Sequence, residues 1–454
     1  MNRPLIVMTH VCRSWRDVLL STPNLWTQID FSESTRSQQA EAFLRRSGDS
    51  LLAISQFLRA REHVEPFLSA TLRNLFRVQR LEINSSLRNL RPLLERFSSS
   101  LALAPVLEHL NITNDISITG NDIALPNIFQ GRFPKLKRLS LYRLRTDLRN
   151  LNPPSLTHFI FTTGMKTSVQ NMISLFERCP LLEFIQLCLY YTPEPSATPL
   201  RNRILLAVLK ELVFDEAACN SGILDRLILP KCTEVMLSGR YLGDPTARIH
   251  RSSIDYLPVT RGITKAIAMP NSCILSGPNG YLRLWSTRND HDDFNAGFFT
   301  SFPPIPVPEI RELWVGQAFQ SDGMPWKQTT VGIVGAFGVL PKVEDLILVG
   351  CDTKLFSAVL RATSVANTDG GILLPALRRL TIHAGPEGLD VPALARCAKA
   401  RKEHSSPLLE VNIVWEKTAT TKSTKETELL RRFVVEVNYR VGVDPYLMFN
   451  QCAA

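Results

Sequence analysis

The amino-acid sequence predicts an α/β fold of stacked strand–helix units, and three observations carry that expectation. A spacing apolar-x-x-apolar-x-apolar recurs eleven times along the 454 residues. Its last two apolar positions lie two apart, which puts both side chains on one side of a pleated strand. Helix-like segments fall between recurrences, among them SVQNMISLFERC (168–179), KLFSAVLRA (354–362) and VPALARCAKARKEH (391–404).

The recurrences run RVQRLEI at 77, PVLEHLNI at 105, PKLKRLSL at 134, PSLTHFIF at 154, PLLEFIQL at 180, AVLKELVF at 207 and KCTEVML at 231. After a gap come PEIRELWV at 308, PKVEDLIL at 341, PALRRLTI at 375 and PLLEVNI at 407. Their first apolar positions are 20–34 residues apart, except for one interval of 78 between Cys232 and Ile310. Strand followed by helix at this period describes an irregular leucine-rich-repeat solenoid with a parallel concave sheet, about 11–13 units over residues 76–416. The long interval leaves room for two degenerate units, at GITKAIAM (262–269) and GYLRLWS (280–286). The strict repeat places Asn or Cys three residues after the last strand leucine. Only Cys351 matches, with Asp115 a chemical substitute, so the backbone of the turns must be satisfied by other groups.

The flanking segments differ in composition. Residues 32–75 read as a helical connector. SGPNGYLRLW near 276 reads as a turn and strand, and the proline-rich stretch 289–308 as a long loop. Residues 417–454 read as a polar linker, TATTKSTKET (418–427), followed by a cap, LLRRFVVEVNYRVGV (429–443), that closes the last repeat.

At the N-terminus, Leu5, Met8, Cys12, Trp15 and Leu19 are spaced 3, 4, 3 and 4, one stripe of an amphipathic helix from Pro4 to Leu20. Ser21-Thr22-Pro23 breaks it and starts a short second helix with Leu25 and Trp26; TQIDF leaves as a strand. The pattern V-C-R-x-W-R-x-x-x-L-x-T-P-x-L-W is carried by Val11, Cys12, Arg13, Trp15, Arg16, Leu20, Thr22, Pro23, Leu25 and Trp26. It resembles the second half of an F-box-like domain, in the form abundant in fungal protein families. That resemblance implies a three-helix unit docking on the Skp-type adaptor of a cullin–RING (SCF-type) ubiquitin ligase. The repeats would hold an unknown protein substrate. Such a receptor performs no chemistry and supplies proximity. The family's first helix, with an L-P-x-E-type opening, has no counterpart here, so residues 1–31 are expected to be a truncated F-box-like segment. The plainer alternative is that Cys12 and Trp15 pack on the first repeat as an N-terminal cap.

Composition bounds the remaining classes. Hydrophobic residues at 44% and charged residues at 21% suit a chain with a large core. Without an apolar run of about 18 residues no membrane span is expected. The short LIVM segment, followed by His10, Arg13 and Arg16, does not read as a secretion signal. Nine cysteines without CxxC spacing point to a reducing compartment, cytoplasmic and/or nuclear, with thiols as core residues and no metal or cofactor. Residues 1–150 hold 21 Lys+Arg against 13 Asp+Glu, the remainder 31 against 29. The basic excess lacks interleaved aromatics, which fits an acidic protein partner or a solvated face better than nucleic acid.

Residues flanking the middle apolar position of each strand point from the concave face. The first column reads Arg80, His109, Arg138, His158, Phe184, Glu211, Glu234, Glu312, Asp345, Arg379 and Glu410; the second includes Met236 and Trp314. The expected binding surface is therefore basic at first, acidic further on, with an apolar strip of Phe184, Met236 and Trp314. Loops folding over these residues would make them ordinary core. Catalytic signals are weak. Asp290-His291-Asp292-Asp293 are contiguous acids and histidine on a loop, and Gly332, Gly335 and Gly338 lack dinucleotide-binding spacing. Three readings remain: a ligase substrate-recognition subunit, a repeat scaffold with no ubiquitin link and, from the enzyme class, a metal-dependent hydrolase using the loop Asp290-His291-Asp292-Asp293.

Overall fold

The computed structural model describes residues 3–32, 37–58, 64–99, 103–115, 123–126, 128–131, 133–163, 168–189, 203–239, 257–269, 272–286, 309–316, 337–350, 353–364, 372–384, 389–415 and 424–441. The chain divides into two compact units, Met1–Lys231 and Cys232–Ala454. Both are α/β with mostly parallel strands.

In the first unit eight sheet strands follow one another in chain order: β1 (Gln28–Ser32), β2 (Leu52–Leu58), β3 (Val78–Ser85), β4 (His109–Asn114), β5 (Arg138–Tyr142), β6 (His158–Thr163), β7 (Phe184–Leu189) and β8 (Glu211–Phe214). Each pairs in parallel with its successor. Parallel neighbours need a crossover of a dozen or more residues, and the spacing of the apolar triplets supplies it. Helices Ser37–Arg46, Val64–Asn74, Leu87–Ser99 and Val169–Arg178 fill several crossovers. Leu90, Leu93, Leu94 and Phe97 are all fully buried, the i, i+3, i+4, i+7 stripe of an amphipathic helix. Strand alternation is equally plain: β4 and β7 bury every second residue.

The helix side of this sheet is tied together by aromatic rings meeting mostly edge-on. Phe31, Phe67, Phe97, Phe129 and Phe133 follow one another with centroids 5.4, 6.5, 5.2 and 6.0 Å apart. These distances lie in the range where aromatic pairs contribute beyond their buried area.

The expected helical connector over 32–75 needs correction. It holds the two helices Ser37–Arg46 and Val64–Asn74, but strand β2 lies between them and pairs with β1 and β3. The sheet therefore begins at Gln28. Trp26, Ile29 and Phe31 form the same apolar triplet as later units, and all three are buried.

In the second unit the strands are β9 (Glu234–Gly239), β10 (Lys265–Met269), β11 (Ser272–Gly277), β12 (Gly280–Ser286), β13 (Glu312–Gly316), β14 (Asp345–Val349), β15 (Arg379–Ala384), β16 (Glu410–Trp415) and β17 (Glu436–Val441). Both degenerate units expected in the long interval are strands, but their order in space is reversed. β9 pairs with β12, β12 with β11, β11 with β10, and β10 with β13. β11 is antiparallel to both neighbours. The physical reason is connection length: Pro278 and Asn279 alone join β11 to β12, far too short for a parallel crossover. Gly280 makes the turn possible. Its φ is +119°, and a Cβ there would lie 1.9 Å from the Thr233 carbonyl oxygen.

From β13 to β17 the strands again pair in parallel and in order. Residues 424–427, expected within the polar linker, instead open the helix Thr424–Arg431. The expected cap contributes a strand, β17, beside β16.

Candidate functional site

The N-terminal segment is two helices rather than one. Arg3–Met8 and Arg13–Leu20 are separated by a turn, and the Cys12 thiol caps the second by accepting from the Trp15 amide at 3.5 Å. Arg16 Nε donates to the Thr9 carbonyl at 2.8 Å, which ties the helices together. The expected stripe is broken: Thr9 and Leu19 are buried, but Met8, Cys12 and Trp15 are exposed. Cys12 and Trp15 therefore do not cap the first repeat.

Trp26 is the tryptophan that packs inward. It is fully buried, donates its indole N–H to the Leu19 carbonyl at 2.8 Å, meets Phe43 edge-on at 5.0 Å, and carries Arg46 over its ring. Pro23 starts the 3-10 turn that places it. The motif thus splits into an inner half, Trp26, and an outer half. Val11 is 62% exposed, Trp15 51% and Val18 60%, with Val7, Met8, Leu20 and Leu25 also exposed. Arg13 and Arg16 stand among them on the same surface helix. Seven large apolar side chains are thus exposed on this short segment.

The second candidate is the sheet face turned away from the helices. Alternation sends Phe31 and Phe159 to the helix side, where they meet Phe67 and Phe176, and sends their strand neighbours to the other face. In the first unit the expected column is brought into register: Arg80, His109, Arg138, His158, Phe184 and Glu211 stand side by side on β3 to β8. Arg80 Nε donates to Glu82 at 2.8 Å. His158 shares a 2.8 Å hydrogen bond with the Thr157 hydroxyl and stacks on Phe184 at 5.9 Å. Burial lowers the pKa of His109 and of His158, and the positive charge of Arg138 adds to both shifts.

In the second unit Lys265, Glu312, Asp345, Arg379, Glu410 and Glu436 are in register. The acidic run is largely compensated. Lys265 bridges Glu312 at 3.1 Å, and Arg379 bridges both Asp345 and Glu410, at 3.0 and 2.7 Å. Burial raises the pKa of Asp345, opposed by Arg379 and reinforced by the neighbouring acids. Glu234 accepts from the Tyr281 hydroxyl at 2.8 Å, and Met236, half-buried, faces Arg283 in register.

Trp314 is not the protruding anchor expected of it. It is buried in a cluster with Ile267, Ile274 and Val349, with Lys265 lying 4.5 Å over its ring. Ile267 and Ile274 come from the β10–β11 ribbon, whose reversed course no periodicity signals. Phe184 is half-buried on β7. The loop Asp290–Asp293 and the glycines Gly332 and Gly335 lie outside the described residues. Gly338 sits beyond the buried Phe337 with nothing within 4 Å of a Cβ placed on it.

Three arginines clamp carbonyls of turns that precede strands. Arg401, fully buried, donates to the carbonyls of Thr363, Leu373, Leu374 and Leu377 at 2.8–3.4 Å and to the Ser406 hydroxyl at 3.0 Å. Leu374 takes a left-handed φ of 51° there, a strained position held by its neighbours. Arg77 donates likewise to carbonyls of Leu44, Gly48 and Ser50, and Arg178 to those of Leu148 and Arg149. A planar fork of donors suits carbonyls converging from several turns. Sequence inspection missed these residues because nothing local separates a clamping arginine from a solvated one.

Most thiols are core residues. Cys179, Cys219, Cys232, Cys273 and Cys397 are buried, and burial pushes the Cys179 thiol up to about 12. Among the described residues no group of three His, Cys, Asp or Glu could hold a metal ion. Among the same residues no helix is long and apolar enough to cross a membrane. No protein-family model matches the chain, and a search of curated proteins finds no significant match.

Proposed function

We propose that the chain is an irregular leucine-rich-repeat solenoid that serves as a substrate-recognition subunit of a cullin–RING ubiquitin ligase. Its N-terminal helices dock on a Skp-type adaptor, and its sheet holds a protein to be modified. The observation that carries this reading is the outward display of Val7, Val11, Trp15 and Val18 in the stretch that resembles an F-box. An exposed aromatic side chain in one segment with exposed aliphatics, Arg13 and Arg16 has the composition of a binding hot spot. The side-by-side columns on the sheet face support the second half of the proposal, because regular rows of half-exposed polar side chains suit an extended partner.

The burial of Trp26, Ile29 and Phe31 also favours a second reading, a repeat scaffold whose first helices merely finish the sheet, with no ubiquitin link. Affinity purification of the tagged chain from cells separates the two. The ligase reading expects a cullin adaptor to co-purify, and expects Trp15→Ala with Val11→Asp to abolish its recovery. An adaptor that never co-purifies with the wild-type chain rejects the ligase link and leaves the scaffold.

A further inference from the structure

On the first unit's sheet face, one cation differs from the others. Arg80 is held by Glu82 on its own strand. At the strand entrances Lys137 pairs with Glu108 at 3.0 Å and Lys210 with Glu183 at 2.7 Å. Arg138 is exposed and forms no ion pair among the described residues. Its neighbours in register are His109 on β4 and His158 on β6. Parallel strands lie about 4.8 Å apart, so the two imidazoles flank the guanidinium with about 10 Å between their strands. The next row along the same strands holds Asn111, Ser140 and Ile160, and the stacked His158–Phe184 pair borders the group.

We propose that Arg138, between His109 and His158, is the receptor for an anionic side chain in an extended segment of a partner protein, with Phe184 taking an apolar residue beside it. A guanidinium binds a carboxylate or phosphate through two parallel N–H donors. Asn111 and Ser140 supply neutral hydrogen bonds to the segment's backbone. No carboxylate stands in this column between Arg80 and Phe184, so an arriving anion meets attraction without a competing acid in its row.

The histidines add a pH response. His109 faces Arg138, Arg80, Glu108 and Lys137; His158 faces Arg138, Glu183 and Lys210. Burial and the Arg138 charge lower the pKa of both imidazoles in the empty site. An anion seated on Arg138 offsets that charge and favours the imidazolium. Proton uptake then accompanies binding, and affinity rises as pH falls. The inference rests on the sheet face as the partner-binding surface, and is independent of the adaptor.

The test is titration of the full chain with three capped peptides: Glu-Glu-Tyr-Glu-Glu, Gln-phosphoSer-Tyr-Gln-Gln, and Gln-Gln-Tyr-Gln-Gln. At least one anionic peptide is expected to bind about tenfold more tightly than the neutral one, and which one does so identifies carboxylate or phosphate as the source. Arg138→Gln should erase the preference. The Glu peptide should bind several-fold more tightly at about pH 6 than at about pH 8, and the double variant His109→Gln, His158→Gln should flatten that dependence. Equal affinities for all three peptides, no binding below millimolar concentration, or an unchanged preference in Arg138→Gln would overturn the proposal. Adaptor recovery from cells is read separately: its loss with peptide binding intact rejects only the ligase reading, and the converse rejects only this one.

Discussion

Trp26 is sealed from solvent and hydrogen-bonded, whereas half of Trp15 faces water, although both belong to one motif. The difference sets what each substitution does. Trp26→Ala empties a packed site between Leu19, Phe43 and Arg46 and should cost about 3–5 kcal/mol. Trp15→Ala should stay within about 0.5 kcal/mol. Urea unfolding of both variants checks the pair, and a Trp15 cost equal to that of Trp26 would contradict the division into inner and outer halves. The sequence pattern placed Trp15 on one amphipathic helix from Pro4 to Leu20 and Trp26 on a short second helix, and was blind to the break between Met8 and Arg13. Thr9, a polar residue, takes a buried place at that break, and its hydroxyl donates to the Ile6 carbonyl at 2.6 Å.

At the scale of elements, β2 shows how a unit escapes notice. Leu52 and Ile54 occupy apolar positions, but Gln56 stands where the third apolar residue is expected, beside Phe31 and Ile83 in register. Gln56 is fully buried, and neither end of its amide has a hydrogen-bond partner among the described residues. An unsatisfied buried amide costs about 1–3 kcal/mol. Gln56→Met keeps the volume and should therefore stabilise the protein by about 1 kcal/mol or more, read as a higher urea midpoint; a lower midpoint would mean the amide is satisfied after all. The β10–β12 ribbon was half legible. Its strands show in the alternation of KAIAM and YLRLW, and its turn in Pro278-Asn279. Its reversal of order is a consequence of connection length, which no apolar pattern records.

For the whole molecule, pH reports on the histidines. Burial lowers the pKa of His109, His158 and His383 below the ordinary imidazole value. Between the folded and the ordinary value the unfolded chain binds more protons, so stability rises with pH there. Thermal unfolding should therefore show a midpoint that climbs as pH rises toward the ordinary imidazole pKa of about 6.5 and levels off above it. Asp345, with its pKa raised, works in the opposite sense at lower pH, where protonation relieves the burial of its charge. The climb should weaken in the His109→Gln, His158→Gln variant. A flat profile in the wild-type chain would show that the imidazoles titrate alike in both states.

Outside β2 and the β10–β12 ribbon, the sequence by itself determined the strand positions and the residues that share a row, because alternation and repeat length are local properties of the backbone. It also determined which residues enter the core at most of those positions. Only the tertiary structure decided which members of a row remain available. Trp314 is covered by side chains from the β10–β11 ribbon, Arg379 is consumed by Asp345 and Glu410, and Arg138 is left between two imidazoles. Availability depends on neighbours brought together from distant parts of the chain, and long-range proximity leaves no trace in a local period.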